Sequence, residues 1–356
     1  MDRIAEETEH RIAQTYAALR QMAADGVTGR LQAVHAAHPE LAELDRALSQ
    51  AGSELLLRSL APDPAEADAA RHRLRTLQEQ RQALVRRLEL DPAYDRPNPT
   101  CSLCGDTGKT KEGVVCACRE RLRTRFLKEA SELGPLTACT FAVHDDSLFE
   151  DAIHAERDKA DVSPRVQIQG IRAACRTFAR EAAASGGEAR DLLLVGSPGT
   201  GKTFMAACIA NDVITRGRSV LYLPAPVMFA RLTNHRTLSA SFRPDEDRLE
   251  EAEREREAIL ETRLLVIDDL GTETIQPHTL PEFLQVLNHR HGAGLRTVFS
   301  TNVDLQTLRQ HYDERLWSRL IGHCTVLRFI GDDLRLRAAR IRRQSGARSG
   351  APNRES

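Results

Sequence analysis

Hydrophobic side chains follow two different patterns along the chain. Over residues 1–90 they recur at helical spacing among Ala, Glu, Gln and Arg, which are good helix formers. Three such stripes are present, at 12–23, 41–55 and 74–88. Asp25-Gly26 is a predicted helix end, and Pro62 and Pro64 separate the second stripe from the third. The pattern predicts a helical bundle or hairpin, which is either a structural or dimerising element or a docking module for a partner protein.

From about residue 164 onward, short apolar runs are separated by helical stretches. The runs have the length of strands, and strands are predicted at 192–195, 220–223, 264–267, 297–300 and 325–330. Predicted helices lie at 164–184, 225–232, 280–291 and 305–320, with another after the first strand. Alternation of strand and helix is typical of a parallel sheet covered on both faces. The predicted fold class is therefore a three-layer α/β/α domain.

Shifts in composition predict the domain boundaries. The predicted parts are a helical domain at 1–95, a small cysteine segment at 96–125, a connector at 126–163, an α/β domain at 164–345 and a disordered tail at 346–356. A helix is predicted near 120–133, where the cysteine segment meets the connector.

Composition narrows the classes of function. With 356 residues, the chain is long enough for more than one domain and a large core. A net charge of −1 gives no general affinity for nucleic acid, so any basic surface must be local. No apolar run reaches the roughly 18 residues of a membrane span, and the charged N-terminus is unlike a signal peptide. A cytoplasmic protein with no membrane partner is predicted.

A glycine-rich turn joins the first predicted strand to the helix that follows it. It has every fixed position of a phosphate-binding P-loop, in the order Gly196-Ser197-Pro198-Gly199-Thr200-Gly201-Lys202-Thr203. The glycines allow backbone N–H groups to face phosphate oxygens, and the helix N-terminus adds positive potential. Lys202 is predicted to reach the β- and γ-phosphates, and the Thr203 hydroxyl to ligate Mg²⁺. The chain is therefore predicted to bind a nucleoside triphosphate.

Polar side chains follow two of the later strands. Asp268 and Asp269 come directly after the run 264–267, and Asn302 follows the next strand. The carboxyl ends of parallel strands face the nucleotide site in this fold class. Asp268 suits the holding of Mg²⁺ through its hydration shell, and Asp269 suits the polarisation of an attacking water. Asn302 either orients that water or is an ordinary turn residue.

Four cysteines are spaced like metal ligands. Cys101 and Cys104 form a Cys-x-x-Cys pair, and Cys116 and Cys118 form a tighter Cys-x-Cys pair. Four thiolates suit tetrahedral Zn²⁺, which would stabilise a segment that is too small to form its own hydrophobic core. A redox pair and unrelated free thiols are the alternatives. The remaining cysteines are predicted to be small buried hydrophobes, namely Cys139, Cys175, Cys208 and Cys324.

Three basic stretches are candidates for contact with anions. The stretch 231–243 carries three arginines, His235 and Phe242 without an acid, so it is either a contact for single-stranded DNA or a basic surface loop. Arg315 and Arg319 lie one turn apart on a predicted helix, either ion-paired or offered to a neighbouring subunit's nucleotide. The C-terminal stretch adds DNA affinity or only solubility, and its arginines are Arg335, Arg337, Arg340, Arg342, Arg343 and Arg348.

The order of these motifs resembles that of an AAA+ ATPase. The whole layout resembles the DnaC/DnaI family of bacterial replicative-helicase loaders, which is related to IstB. The likeness covers most of residues 95–345 and rests on the P-loop, including Pro198, and on the Cys101–Cys118 segment, which IstB is not expected to carry. It implies an AAA+ core without a full helical lid, because too few residues follow Asn302 to form one.

The resemblance implies a role for each matching residue. Asp268 matches the Walker B magnesium residue, and Asp269 stands where many AAA+ proteins have Glu, which shortens the base by one methylene. Asn302 is similar to the sensor 1 residue. Arg319 is similar to the arginine finger of this clade, and Arg335 stands where a sensor 2 arginine would bind nucleotide.

The resemblance also implies a function. It describes an ATP-driven loader with Mg²⁺ and Zn²⁺, which binds a hexameric replicative DNA helicase through its N-terminal helices and self-associates through its AAA+ domains. The stretch 231–243 lies where this clade inserts a helix associated with single-stranded DNA. An IstB-like transposition helper is the alternative within AAA+. The alternatives from other classes are a small-molecule kinase and a nucleotide-dependent scaffold with negligible turnover.

Overall fold

The computed structural model describes residues 2–59, 64–184, 190–276 and 278–337. Residues up to Arg11 and from Glu120 onward form one compact unit, here called the α/β unit, and Ile12–Arg119 form a second, the helical unit. The predicted tail 346–356 lies outside the described residues, as do the predicted arginines from Arg340 onward. Among the described helices, none is both long enough and apolar enough to cross a membrane.

Three helices open the chain, as its apolar stripes predict. They are α1 (Arg3–Ala37), α2 (Pro39–Ser59) and α3 (Pro64–Arg87). The predicted helix end at Asp25-Gly26 is wrong, because α1 continues through it. A glycine inside a helix costs only about 1 kcal/mol, and the residues beyond it are held by packing. Leu31 and Val34 pack against the buried cluster of Leu41, Val85 and Tyr94, which favours continuation of the helix.

A polar cluster fastens α2 and α3 to the turn that follows them. The Asp45 carboxylate accepts hydrogen bonds from Arg81 Nε (2.6 Å) and from the Tyr94 hydroxyl (3.1 Å). Arg81 also donates to Asp95 at 2.6 Å. Burial by itself would raise the pKa of Asp45, but hydrogen bonds from His35 and Arg81 lower it. The charged groups of this cluster are therefore paired with one another within the helical unit.

The α/β unit is built on a five-stranded parallel sheet. Its strands are β1 (Asp191–Gly196), β2 (Val220–Pro224), β3 (Leu264–Asp268), β4 (Arg296–Thr301) and β5 (Cys324–Phe329). They lie in the order β2-β3-β4-β1-β5, and every neighbouring pair is parallel. The predicted parallel sheet is confirmed.

The helices of this unit lie before and between the strands. They are α4 (Ala117–Ala130), α5 (Ala155–Asp158), α6 (Pro164–Ala183), α7 (Lys202–Thr215), α8 (Ala225–Ser239), α9 (Glu246–Glu261), α10 (Thr279–Gly292), α11 (Leu305–His311) and α12 (Glu314–His323). Two 3-10 turns, Gly134–Ala138 and Asp146–Leu148, lie between α4 and α5. The first residues of α4 belong to the helical unit.

The predicted single helix 305–320 is wrong. The chain leaves helical geometry at Tyr312, which has an extended backbone, and starts a new helix after Asp313. The Asp313 carboxylate accepts the Leu316 N–H at 2.8 Å and so caps the N-terminus of α12. An N-cap residue needs a non-helical backbone, so this aspartate separates two helices that share an apolar stripe.

The core of the α/β unit surrounds the central strands. Leu193 of β1, Val266 of β3 and Phe299 of β4 are fully buried, and α7 adds Met205 and Ile209. The predicted connector contributes to this same core through Leu133, Phe141 and Phe149. These side chains pack against the sheet domain within a single hydrophobic cluster.

The first turns of α1 also pack in the α/β unit. The Asp2 carboxylate accepts a hydrogen bond from the Ser219 hydroxyl at 2.7 Å, just before β2. Arg3 donates to Glu257 of α9 at 2.7 Å, and Ile4 joins the hydrophobic core. This unit is therefore assembled from two segments that are separated in sequence by Ile12–Arg119.

Strand register brings the polar ends of three strands to one edge of the sheet. Val195 of β1 is paired with Thr301 of β4, and Pro224 of β2 is paired with Asp268 of β3. The turn after β1, the acids at the end of β3 and the residues after β4 therefore all lie at the carboxyl edge. This is the edge at which ligands bind in parallel α/β sheets.

Candidate functional site

The P-loop turn between β1 and α7 holds its lysine inward. Lys202 is 4% exposed, and its ammonium donates to the backbone carbonyls of Gly196 (2.7 Å) and Ser197 (2.8 Å). Burial lowers the pKa of Lys202 to about 8, although the charges of Asp269 and Asp268 oppose the shift. The lysine is thus a desolvated cation whose charge is available to an anion entering the turn.

Gly199 is required by the shape of this turn. Its φ of +78° lies in the left-handed region, and a Cβ there would sit 2.1 Å from the Asp333 carboxyl carbon. The Gly199 carbonyl also accepts the Leu334 N–H at 2.9 Å. The segment after β5 therefore packs directly on the P-loop.

Asp268 lies beside the hydroxyl that the P-loop supplies. The Thr203 hydroxyl donates to Asp268 Oδ1 at 3.4 Å. Hydroxyl groups of Ser300 and Tyr222 donate to the two carboxylate oxygens of Asp268. These bonds hold a largely buried carboxylate in one orientation. The adjacent carboxylate and hydroxyl oxygens are hard ligands of the kind Mg²⁺ prefers.

Asp269 has an unusual backbone conformation. Its φ is +57°, in the left-handed region. Non-glycine residues rarely adopt this conformation, and those that do are often found at functional sites. Its carboxylate accepts a hydrogen bond from the Asn302 amide at 2.6 Å. Burial and the neighbouring Asp268 carboxylate raise the pKa of Asp269. A half-buried acid held by an amide at the strand ends is suited to act on a bound water.

A cavity of about 630 Å³ opens beside these residues. One end is charged and is lined by Lys202, Thr203, Asp269, Asn302 and Arg335. Apart from Asp145, the rest of the lining is largely apolar, and the predicted connector supplies most of it through Leu136, Cys139, Val143, His144, Leu148 and Phe149. A cavity with one charged and one apolar end suits a nucleotide.

Asn211 of α7 ties the connector to the helix of the P-loop. Its amide donates to the carbonyls of Leu136 (2.9 Å) and Cys139 (2.8 Å). Nearby, His144 stacks on Phe149 with ring centroids 5.6 Å apart and an angle of 20°. Burial lowers the pKa of His144, which favours the neutral ring. No motif marks these residues, so sequence analysis missed them.

The predicted arginines lie in different places. Arg335 lines the cavity, and its charge opposes protonation of Lys202 and Asp269. Arg319 lies on the exposed face of α12, within 3.4 Å of His323, and does not line this cavity. Arg315 shares that face with Arg319. Within one chain, the charged end of the cavity is therefore assembled without Arg319.

The four predicted metal-ligating cysteines of the helical unit converge. Their sulfur atoms all lie within 4.8 Å of one another. Cys101 Sγ is 3.8 Å from Cys116 Sγ, and Cys104 Sγ is 3.5 Å from Cys118 Sγ. Tetrahedral zinc with Zn–S bonds of about 2.3 Å needs sulfur separations of about 3.8 Å. The donor set and its spacing therefore fit Zn²⁺.

Two residues that sequence analysis missed support this cluster. The buried Asp106 carboxylate accepts the N–H groups of Thr100 (2.7 Å) and Cys101 (2.8 Å), which fixes the first cysteine turn. The Tyr16 hydroxyl lies 3.0 Å from Cys118 Sγ. Gly108 has a φ of +76°, and a Cβ there would come within 2.7 Å of the Tyr16 ring. The loop is shaped to hold its cysteines against α1.

Comparison with known proteins finds relatives of the region that contains the P-loop. Residues 182–342 match the family described as IstB-like ATP binding protein. The replicative helicase loader DnaC of Escherichia coli strain K12 is 28% identical over 153 residues, which are 42% of this chain and 58% of DnaC. The replicative helicase loader DnaI of Bacillus subtilis is 31% identical over 162 residues, 42% of this chain and 49% of DnaI.

In this region the chain is similar to the replicative helicase loaders DnaC and DnaI and to the IstB-like family.

The chain spans roughly half of the length of the two loaders that it matches. A crystal structure of DnaI superposes on this chain with a TM-score of 0.41 and 25% sequence identity. The superposition covers 55% of this chain and 94% of the DnaI chain in the crystal. The IstB-like match includes the P-loop, the Asp268–Asp269 pair, Asn302 and Arg335. It begins after Cys118, so the cysteine cluster lies outside the matched region.

In this DnaC/DnaI-like chain, the basic stretch 231–243 is only partly available for contact with DNA. Arg231 is paired with Glu132 at 2.7 Å and Glu255 at 3.0 Å, and Arg236 lies 3.4 Å from Glu282. The stretch has no acid of its own, but acids from α9, α10 and the turn after α4 neutralise two of its arginines. At the tip after α8, Phe242 is 96% exposed, and the adjacent arginine is exposed too.

Proposed function

We propose that this protein is an ATPase that loads a hexameric replicative DNA helicase onto single-stranded DNA. The observation that carries the proposal is the charged end of the cavity, where Lys202, Thr203, Asp269 and Asn302 surround one site. Similarity to two replicative helicase loaders supports the choice of partner. An IstB-like transposition helper is the alternative, because residues 182–342 match that family.

ATP fits the cavity with its phosphates toward the P-loop. Backbone N–H groups of the turn and the Lys202 ammonium neutralise phosphate oxygens, and the base lies at the end lined by His144 and Phe149. Thr203 and Asp268 would hold Mg²⁺, which neutralises charge on the β- and γ-phosphates when it is bound. Arg335 adds positive charge at the γ-phosphate side.

Asp269 is the base proposed for hydrolysis. Its carboxylate accepts a proton from the water that attacks the γ-phosphorus, and Asn302 orients both the carboxylate and the water. Aspartate reaches one methylene less far than the glutamate common at this position. The left-handed backbone at Asp269 changes the direction in which its side chain leaves the strand, so the position of the carboxylate depends on this backbone as well as on side-chain length.

Arg319 is proposed to complete the site of a neighbouring subunit. We expect Arg319→Ala to lower ATP turnover at least tenfold while ATP binding is kept, since an arginine supplied in trans stabilises transition-state charge. Turnover should return when Arg319→Ala protein is mixed with Lys202→Ala protein. The mixture creates interfaces with an intact P-loop on one side and Arg319 on the other. The rate of phosphate release measures ATP turnover at these interfaces. Additive inactivity would contradict a role in trans.

Zn²⁺ is proposed as a structural cofactor of the cysteine segment. All four ligands are thiolates in a short loop, which leaves no coordination position for substrate and suits a structural role. Although burial opposes it, hydrogen bonds from Gly108, Cys118 and other neighbours lower the pKa of Cys104 to about 7. Burial raises the pKa of the neighbouring Cys118 to about 12, so the two thiols of this pair are shifted in opposite directions.

Single-stranded DNA is proposed to contact the tip after α8. Phe242 can stack on a base and Arg243 can neutralise a phosphate, and both are exposed. The paired Arg231 and Arg236 are assigned to the structure of this region instead. The proposed DNA contact is therefore narrower than the predicted stretch 231–243 and consists of Phe242 and Arg243.

The helical unit is the proposed docking element for the helicase. Leu56 and Leu57 on α2 are 66% and 71% exposed, an apolar pair that a partner helix can cover. We expect the full chain to bind a purified hexameric replicative helicase in a pull-down, and ATP to change the amount bound. Leu57→Asp should lower the amount bound at least tenfold, because it buries a charge at the interface.

Ile153→Asp is the matched control for this experiment. Ile153 is 57% exposed but lies in the α/β unit, so the charge is added outside the proposed docking element. The control should bind the helicase like the unmodified chain. Absence of helicase binding in the unmodified chain, together with binding of a purified transposase, would favour the IstB-like alternative. Equal helicase binding by both variants would move the docking surface elsewhere.

A further inference from the structure

A buried glutamate lies in the loop that follows β3. Glu273 is 4% exposed, and no motif of the nucleotide site includes it. Its Oε2 accepts the Gly271 N–H at 2.8 Å, and its Oε1 accepts the hydroxyl of Tyr312. His311 lies 3.8 Å from the same carboxylate. A buried carboxylate is costly unless its oxygens are hydrogen-bonded, so these contacts hold the loop in place.

One side of this contact leads to the nucleotide site. The loop 269–273 begins at Asp269, whose carboxylate is held by Asn302 at 2.6 Å. The Thr272 hydroxyl donates back to the Asp269 carbonyl at 2.7 Å, and the Leu270 carbonyl accepts the Thr301 hydroxyl at 2.7 Å. Hydrogen bonds therefore hold the short loop between Asp269 and Glu273 in one arrangement.

The other side of the contact leads to the arginine helix. Tyr312 is the residue at which α11 ends, and Asp313 then caps α12. Tyr312 is 4% exposed, and burial and the Glu273 charge raise its pKa, so its hydroxyl stays a donor. Arg319 lies about two turns further along α12, on the exposed face. The direction in which α12 leaves Tyr312 sets where Arg319 is presented.

We propose that Glu273 and Tyr312 are positioning residues that link the Asp269–Asn302 pair of one subunit to the placement of Arg319 against its neighbour. The proposal rests on the proposed function, because it assumes that Arg319 acts on ATP bound by a second copy of this chain. Glu273 and Tyr312 touch neither nucleotide nor water in this scheme. They act through the loop 269–273 on one side and through α12 on the other.

Tyr312→Phe tests the link because it removes one hydroxyl and keeps the ring. We expect the full-length variant to bind a fluorescent ATP analogue within twofold of the unmodified chain, and its ATP turnover to fall at least tenfold. Mixing it with Lys202→Ala protein should restore turnover toward about a quarter of the normal rate. That fraction is the share of interfaces, in random mixing, that combine the P-loop of Tyr312→Phe with the Arg319 of Lys202→Ala.

Tyr222→Phe is the matched control, because it removes a hydroxyl bonded to Asp268 within the same subunit's site. Its loss of turnover should not be restored by Lys202→Ala protein. Restoration of Tyr312→Phe but not of Tyr222→Phe supports the link. Normal turnover in Tyr312→Phe, or a loss that mixing does not restore, overturns it.

A second pair of measurements separates failure of this inference from other failures. Mixtures of Arg319→Ala with Lys202→Ala protein test the action of Arg319 in trans, and failure there overturns both proposals together. If Tyr312→Phe does not fold, Glu273→Gln replaces it, since glutamine keeps the size and one acceptor oxygen. Glu273→Gln should lose turnover by severalfold and regain it in the same mixture. Full turnover in that variant, or an unrestored loss, overturns the link.

Discussion

Lys202→Ala is expected to lower ATP turnover by about 10²- to 10⁴-fold. The ammonium is buried in the P-loop and makes charge-assisted contacts to two backbone carbonyls, of Gly196 and Ser197. With ATP present, those contacts are exchanged for phosphate oxygens, and two charge-assisted hydrogen bonds are worth about 1.5–3 kcal/mol each. Phosphate release at saturating ATP measures turnover, and titration of a fluorescent analogue measures binding.

The lysine also predicts a pH dependence. Because burial lowers the pKa of Lys202 to about 8 without ligand, its ammonium is lost as the pH rises through that value. The affinity for ATP should therefore weaken above pH 8, and the dependence should be absent from Lys202→Ala. Lys111→Ala is a control, since Lys111 is exposed in the cysteine segment. Normal turnover in Lys202→Ala would contradict the assignment of the phosphate site.

Removal of zinc is expected to unfold the cysteine segment. The protein should contain about one zinc ion per chain, and structural zinc in small domains contributes an apparent 10–16 kcal/mol of binding free energy. Chelation or Cys104→Ser should therefore speed amide hydrogen exchange across residues 100–118. Elemental analysis of reduced protein and hydrogen-exchange mass spectrometry measure the two effects. Cys324→Ala is the control. This variant should still contain about one zinc ion per chain, because Cys324 is a buried residue of β5 outside the cysteine segment.

Absence of zinc from fully reduced protein would instead support the alternative of free thiols. A disulfide between any two of the four cysteines would support a redox pair. These outcomes are separable, since a disulfide changes the mass of the intact chain by two hydrogens and free thiols react with an alkylating reagent.

Local patterns were sufficient to predict the charged end of the cavity. The P-loop, the acids after β3 and Asn302 after β4 each combine a short motif with the end of a buried strand. The carboxyl ends of parallel strands meet whatever the details of packing, so their convergence follows from fold class alone. The four cysteines were predictable from their spacing, and the structure brings their sulfur atoms within 4.8 Å of one another.

The apolar end of the cavity was not predictable in this way. Its lining comes from the connector, and the connector is held there by the Asn211 amide on the carbonyls of Leu136 and Cys139. Backbone carbonyls carry no sequence signal. Glu273 was missed for a different reason, since its partner Tyr312 is distant in sequence and only the fold brings the two side chains together.

The wrong helix boundaries have a physical cause as well. A glycine costs a helix little compared with the packing of residues on either side, so Gly26 did not end α1. Asp313 had the opposite effect. Its carboxylate accepts the Leu316 N–H at the start of a new helix, and this capping bond stabilises a break in the helix at that point. Tertiary packing decides the first case and capping decides the second.

The division of the α/β unit into two sequence segments has a consequence for synthesis of the chain on the ribosome. Asp2 and Arg3 are translated long before their partners, Ser219 and Glu257. At about 5–20 residues per second, roughly 10 to 50 seconds separate two residues that lie about 250 positions apart. The first turns of α1 therefore cannot complete these contacts until residues 219 and 257 have been translated. The helical unit, by contrast, is one continuous segment, so all of its contacting residues are translated by Arg119.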